Sequence, residues 1–345
     1  MKRVVLLALT VLLVCSSGVL ASDWPSRIPV VTVGFSAGGG TDTAVRPIIA
    51  KMSEYLGTTI NVVNMPGASG GIAASEVLQR KPDGYNLYAT GSGPFVGLRV
   101  FDYVDTDWTD WVSWHPFSGP AGLIAKPGAY ESFDDAMEAL RSGNCNVGIS
   151  GFGAGPHVLA EVLFGVAGVS DVNYVTFDSC HSAAVGVIAG EVEFAMISFS
   201  AGVDFAEANQ IEAVVLTSFE PYKLANGKEL PAVVDVLEGS EHIPLLSETW
   251  PIFIRRDTPQ PIIDKLTEAF VWAMEQPEIA EFAASQSLNI AGYYGEEADR
   301  FLSMHEAGYA WAIHNAGLAQ VSPDKLGIST IDEWDWEVEK QKIKK

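Results

Sequence analysis

Short apolar runs bounded by glycine, proline or asparagine alternate along this chain with stretches whose apolar residues recur every three or four positions. The first run, Ile28 to Phe35, predicts a strand. It passes through Gly34-Phe-Ser-Ala-Gly-Gly-Gly-Thr-Asp42 into an amphipathic helix that begins near Thr43 and ends at Gly57, a residue suited to a left-handed cap. Thr58 to Val63 predicts a second strand, Asn64-Met-Pro-Gly-Ala-Ser-Gly-Gly71 a second loop, and the residues up to Arg80 a helix. The turn Pro82-Asp-Gly-Tyr85 leads into a strand over Asn86 to Thr90. Residues 94–118, with Trp108, Trp111 and Trp114, are aromatic and read as irregular, the tryptophans as wall or core.

A second set of units starts near Gly122. It comprises a helix over 132–142, a strand over 146–150, the loop Gly151-Phe-Gly-Ala-Gly-Pro-His157 and a helix over 158–165. A strand over 173–177, the corner Asp178-Ser-Cys-His181, a helix over 182–189 and strands Glu193 to Ile197 and Ile211 to Thr217 follow. Pro-rich Arg255 to Pro261 opens helices over 260–275, 277–286 and 296–317. Such alternation predicts an α/β fold with mostly parallel sheets. The order suggests a chain that builds one lobe (22–121), crosses to a second (122–250) and returns to finish the first (251–345). A ligand cleft then lies between the lobes, where the carboxyl ends of strands gather their loops. Residues 332–345 are charged and expected to fray.

The N-terminus bears on compartment. Lys2 and Arg3 precede an apolar run from Val4 to Val14, and Val19-Leu20-Ala21 offers small residues for cleavage after Ala21. The run is shorter than an ordinary transmembrane helix, so the mature chain is expected to be soluble and exported to the periplasm. Cys15 raises a lipoprotein signal as the alternative, although Val14 stands where a small residue is wanted. Removing residues 1–21 takes away two cations and no acid, moving the net charge from −22 to −24. Such acidity argues against nucleic-acid or anionic-membrane partners, which need Lys and Arg to neutralise phosphates. Cys145 and Cys180 remain. If the strands beside them run parallel and adjacent, their sulfurs lie on the order of 15 Å apart at ~3.3 Å per residue, which predicts two free thiols.

Candidate chemistry centres on the Gly34 to Asp42 loop. Three successive glycines bare the backbone N–H groups, and the following helix directs its positive end at the same place. Those N–H groups and the hydroxyls of Ser36 and Thr41 suit one carboxylate; alternatively, the glycines make a tight turn that Thr41 or Asp42 caps. The loop also contains Gly34-x-Ser36-x-Gly38, the nucleophile-elbow pattern, with His157 or His181 as possible bases. Context disfavours a serine hydrolase. Ser36 follows the first mature strand, and its pattern runs on into two more glycines. Gly151-x-Gly-x-Gly155 opens a helix as a dinucleotide loop would, but Pro156 occupies the sixth position and no acid closes the next strand. It reads instead as a second carboxylate loop, or as a plain helix start with Pro156 in the first turn. No His, Cys or Asp spacing converges on a metal, and no cofactor is expected. Phe152 and Trp250 border the expected cleft, and an aromatic floor would favour an alkyl or ring-bearing acid.

Six motifs stand in order: Trp24-Pro25, Phe35 to Asp42, Asn64 to Gly71, Pro82 to Tyr85, Gly151 to His157, and Asp257-Thr-Pro259 with its helix. Together they resemble the extracytoplasmic solute-binding proteins of tripartite tricarboxylate transporters (TctC-like, or Bug, proteins) over residues 24–321. The resemblance implies a two-lobed, type II-like periplasmic-binding fold that captures a small carboxylate and delivers it to a membrane permease. It implies no chemistry, and the protein is expected to be monomeric. First-lobe contacts carried over by motif are Phe35, Ser36, Ala37, Gly38, Gly39, Gly40, Thr41 and Asp42. Second-lobe contacts are Gly151, Phe152, Gly153, Ala154, Gly155 and His157, then the corner Phe177, Asp178 and Ser179, where the family usually shows Tyr-Lys-Gly. Trp250 falls where the family places an aromatic. Ile197-Ser198 stands where Asp-Asn is common, and Met65 where Arg is usual, which leans toward a less polar acid. A ligand-sensing partner of a signalling receptor remains the alternative to transport.

Overall fold

A computed structural model describes residues 24–240, 243, 247–286 and 288–343. The expected signal peptide and its cleavage after Ala21 lie outside the described residues. The strands are β1 (Val30–Val33), β2 (Asn61–Asn64), β3 (Asn86–Ala89), β4 (Trp111–Gly119), β5 (Ala121–Ala125), β6 (Asn146–Ile149), β7 (Asn173–Thr176), β8 (Phe194–Ser198), β9 (Glu212–Leu216), β10 (Tyr222–Lys223), β11 (Glu229–Leu230), β12 (Glu248–Thr249), β13 (Ile252–Arg255) and β14 (Asn289–Tyr294). The helices are α1 (Gly40–Leu56), α2 (Gly71–Leu78), α3 (Ser92–Val100), α4 (Phe133–Arg141), α5 (Gly155–Val166), α6 (Cys180–Ala189), α7 (Val203–Glu207), α8 (Val233–Val236), α9 (Gln260–Met274), α10 (Pro277–Ser285), α11 (Gly295–Asn315) and α12 (Trp336–Glu339).

Two mixed sheets carry the architecture. One orders β12-β4-β13-β3-β1-β2, with β14 also on β4; the other orders β7-β6-β8-β5-β9. Each has a parallel heart: β1 with β2 and β3, and β6 with β7 and β8. The antiparallel partners are β4, β5, β9, β12, β13 and β14, which lie around the two passages between sheets. The chain leaves the first sheet between Gly119 and Ala121 and returns at Glu248, where Glu248 pairs with Gly119 and Thr249 with Ser118. The two crossings therefore lie side by side.

Alternate residues of each strand enter opposite cores. In β3, Leu87 and Ala89 join Ile48, Met52, Leu266 and Phe270, beneath α1, α9 and α10. Tyr88 faces the other way, with Phe95, Trp111, Phe253 and Tyr309 beneath α3 and α11. Rings stack closely there, with Phe95 and Phe253 centroids 4.4 Å apart. A sheet covered on both faces needs apolar residues on both, and this masks the alternation of a half-exposed strand.

That masking explains the largest difference from expectation. Residues 94–118 are not irregular. They include most of α3, buried at every position except Arg99, and β4, buried over most of its length. The C-terminal segment differs too. It does not fray over its described part: Trp336 packs against Trp108 at 6.1 Å and donates to Glu296 Oε1 at 2.9 Å. Glu339 is buried and accepts hydrogen bonds from Ser329 and Lys342. Scattered tryptophan anchors among charges escape a reading based on charge.

The strands flanking the cysteines are parallel neighbours, with Asn146 opposite Asn173. Both cysteines are free thiols: Cys145 donates to Ala139 O at 3.6 Å, and Cys180 accepts from Ser198 N–H at 3.4 Å.

Trp336→Ala should lower the unfolding free energy by about 3 kcal/mol, as expected for an aromatic lost from a packed site. Urea denaturation measures this, and a loss below ~1 kcal/mol would mean that the tail does not dock. Glu306, buried in α11, has its carboxyl raised from 4.5 to about 8, first by burial and then by Asp107, against the opposing pull of Arg99 and Lys342. The unfolded chain ionises this acid from pH 4.5 upward while the folded chain keeps the proton to about 8. Stability from this group therefore falls across that window, and Glu306→Gln should flatten the decline in Tm; an unchanged slope would refute the assignment.

Candidate functional site

The carboxyl ends of the parallel strands bring four helix starts together. α1 contributes Gly40 and Thr41, α3 contributes Pro94, α5 contributes Gly155 and Pro156 after its cap Ala154, and α6 contributes Cys180 after its cap Ser179. Phe35, Gly39, Ser150, Ser198, Glu248 and Trp250 complete the wall of a cleft holding about 20 Å³, room for about one water. The first N–H groups of each helix have no partner inside it and carry its positive partial charge. Among the described residues, no Lys, Arg or His lines this cleft. The polar groups in its wall are oriented backbone, hydroxyls, the Cys180 thiol, the Trp250 indole and the Glu248 carboxyl.

The lobes meet with glycine backbone against serine side chains. A Cβ at Gly40 would lie 3.3 Å from Ser198 Cβ, and one at Gly39 would lie 3.6 Å from Ser179 Cβ. Around this contact Ser69 Oγ donates to Phe152 O at 2.9 Å, and Tyr309 Oη donates to Gly155 O at 3.1 Å. The second loop supports the first, since a Cβ at Gly34 would come within 2.7 Å of Gly70 Cα.

Of the residues singled out in the sequence, Phe35, Gly39, Gly40, Thr41, Ala154, Gly155, Ser179, Ser198 and Trp250 line the cleft. The others do not. Ser36 O accepts the Gly39 N–H at 3.1 Å to close the turn, and Ala37 and Gly38 face solvent. Asp42 is buried with its carboxylate committed to Gly38 N at 3.0 Å, Arg46 Nε at 2.8 Å and Asn64 Nδ2 at 2.8 Å. Burial works to raise its pKa, but these hydrogen bonds outweigh it and leave the group lowered. Asp42 positions the loop, and Asn64 does the same by donating to Phe35 O at 2.8 Å.

In the second lobe, the ring of His157 turns from the cleft. Its Nδ1 accepts from Gly153 N at 3.0 Å and its ring stands edge-on to Phe152 and Tyr174, where burial lowers its pKa to about 4. Gly151 sits on the loop's outer side, and Phe152 is 54% exposed. Gly153 packs on Phe101 of the first lobe. Phe177 packs over Gly148 and Gly186, and Asp178 is exposed. His181 rests on Phe205 at 5.0 Å. Neither histidine is therefore poised to serve Ser36 as a base.

The sequence reading missed Glu248, along with Pro94, Ser150 and Cys180. Glu248 is 7% exposed, and its carboxyl is raised to about 8 by burial, against a long hydrogen bond of 3.4 Å from Ser198 Oγ. A Cβ at Gly155 would stand 2.7 Å from that carboxyl. One acid among 43 gives no local signal. Only its place on the returning strand reveals it.

The family model described as the tripartite tricarboxylate transporter family receptor, TctC, matches residues 44–315. A UPF0065 protein from Agrobacterium vitis is 27% identical over 271 residues, covering 76% of each chain. BugT from Bordetella pertussis is 23% identical over 292 residues, covering 81% of this chain and 88% of its own. Among solved structures, MatC from Rhodopseudomonas palustris with bound malate has a TM-score of 0.77 at 22% identity, covering 84% of this chain and 100% of its own. A second protein from that organism, with adipate, has a TM-score of 0.76 at 22% identity, covering 86% and 99%. The fold is that of the two-lobed periplasmic binding proteins. With most of its length matched, the chain belongs to the TctC family of tripartite tricarboxylate transporter receptors, which are periplasmic solute-binding proteins and not enzymes.

Proposed function

We propose that this protein captures a small organic carboxylate in the inter-lobe cleft and delivers it to a tripartite tricarboxylate-type permease. It works in the periplasm as a monomer, after cleavage following Ala21. The observation that carries this reading is the convergence of four helix N-termini on a cleft that, among the described residues, no Lys, Arg or His lines. Charge-assisted bonds from N–H groups to a carboxylate are worth about 1.5–3 kcal/mol each. Malate and adipate, bound by the two similar proteins, are likewise small organic carboxylates.

Mechanically, 22–121 with 251–345 forms one lobe and 122–250 the other, hinged at the paired crossings. The acid docks on the Gly39 to Thr41 backbone, and the Ala154–Gly155 and Ser179–Cys180 turns close over it. Closure needs a ligand that binds the shut state better than the open one. Gly40→Val would push methyl groups into Ser198 across the cleft. It should weaken carboxylate binding about 100-fold, ~2.7 kcal/mol, with little loss of folding stability. Calorimetric titration against a panel of small mono- and dicarboxylates tests this, and unchanged affinity in the variant would remove the loop from the site. Ser36→Ala should leave binding within about threefold, under 1 kcal/mol, because Ser36 lies off the cleft wall.

A further inference from the structure

We propose that Glu248 makes this receptor selective for monocarboxylates, because its side chain occupies the place a second ligand carboxylate would take. The inference rests on the carboxylate-receptor reading above and deepens it.

The geometry divides the four helix starts into two pairs. The Glu248 carboxyl lies against the starts of α3 and α5. A Cβ at Gly91, the residue capping α3, would overlap its Oε1, and one at Gly155 would come within 2.7 Å of both oxygens. Thr249 fixes this arrangement by donating its N–H to Ser92 Oγ at 3.0 Å, which ties the returning strand to the first residue of α3. The starts of α1 and α6 face each other through Gly39 and Ser179, and Ser198, against Gly40 and Cys180, stands between them and the Glu248 carboxyl.

The carboxyl is more than nine-tenths buried and has no cationic partner among the described residues. The Ser198 hydroxyl donates to it, and Ser198 in turn contacts the Cys180 thiol. Each helix start is equivalent to about half a positive charge, so four starts balance about two carboxylates. The chain fills one of these two places itself with the Glu248 carboxyl, which burial keeps largely protonated at neutral pH. A monocarboxylate completes the set on α1 and α6, with its apolar end toward Pro94 and Trp250. To seat its second carboxylate at the starts of α3 and α5, a dicarboxylate must displace the Glu248 side chain.

Calorimetric titration with acids of matched length tests this: butyrate against succinate, hexanoate against adipate, octanoate against suberate. Wild type should bind the tightest monoacid at least about tenfold better than its diacid partner. Glu248→Ala, which frees the space the side chain fills, should shift that ratio toward the diacid by about tenfold or more. Glu248→Asp withdraws the carboxyl by one methylene, so a smaller shift in the same direction is expected even if the alanine variant folds poorly. Wild type that binds a diacid as well as its matched monoacid would overturn the proposal. So would a ratio unchanged in both variants, or preference for the matched α-amino acid, whose ammonium would make Glu248 a counter-ion. A panel in which acids bind but diacids win overturns the selectivity and leaves the carboxylate-receptor reading standing. A panel in which no acid binds wild type removes that reading and this one together.

Discussion

Glu248 and Thr249 pair with the end of β4 at one narrow place, Glu248 opposite Gly119 and Thr249 opposite Ser118, where the chain passes out of its first sheet and back into it. Adjacent strands lie about 4.8 Å apart, so the two crossings run side by side as a two-strand strap between the sheets. Thr249 also binds inward on both sides: its N–H reaches Ser92, and its hydroxyl is 2.8 Å from His115 Nδ1. His115 bonds Ser113 in turn at 3.0 Å, and burial drives its pKa down to about 3, so the ring stays neutral under the strap. Register here decides what enters the cleft. Successive residues of a strand face opposite ways, and a slip of one residue would turn Glu248 out of the cleft and Thr249 into it.

The chain carries a net charge of −22, and anion capture is nevertheless consistent with that figure. Exposed charges are screened beyond a Debye length of about 8–10 Å, whereas the cleft acts at hydrogen-bond range. Helix starts can serve where lysines would otherwise be needed, because their N–H groups are already oriented and cost no side-chain ordering. Backbone recognition requires close approach, and this is the physical use of Gly40 and Gly155. The same closeness lets a glutamate side chain lie against Gly155 much as a ligand would.

Much of the outer organisation could be read locally. The loops Gly34 to Asp42 and Gly151 to His157 announce themselves because glycine clusters between a strand and a helix are short-range signals. The polar members of those loops were harder. Asp42 and His157 look like ligand contacts by residue type, yet their side chains hold the loops from behind, Asp42 through Gly38, Arg46 and Asn64, and His157 through Gly153. Which way a loop side chain points depends on what packs against it, and that is not a property of the loop. The α3 and β4 segments were hidden for a related reason, since complete burial erases the periodicity that reveals an element.

The amino-acid sequence by itself determined the alternating α/β order, the two glycine loops and the likeness to a receptor family. These depend on residues close together in the chain. Tertiary structure alone decided the docking of Trp336 on Trp108, the outward turn of His157, and the arrival of Glu248 between Gly91 and Gly155. Glu248 and Gly91 are far apart in sequence and meet only because β12 pairs with β4. Contacts of that kind follow from strand register, and no local pattern records it.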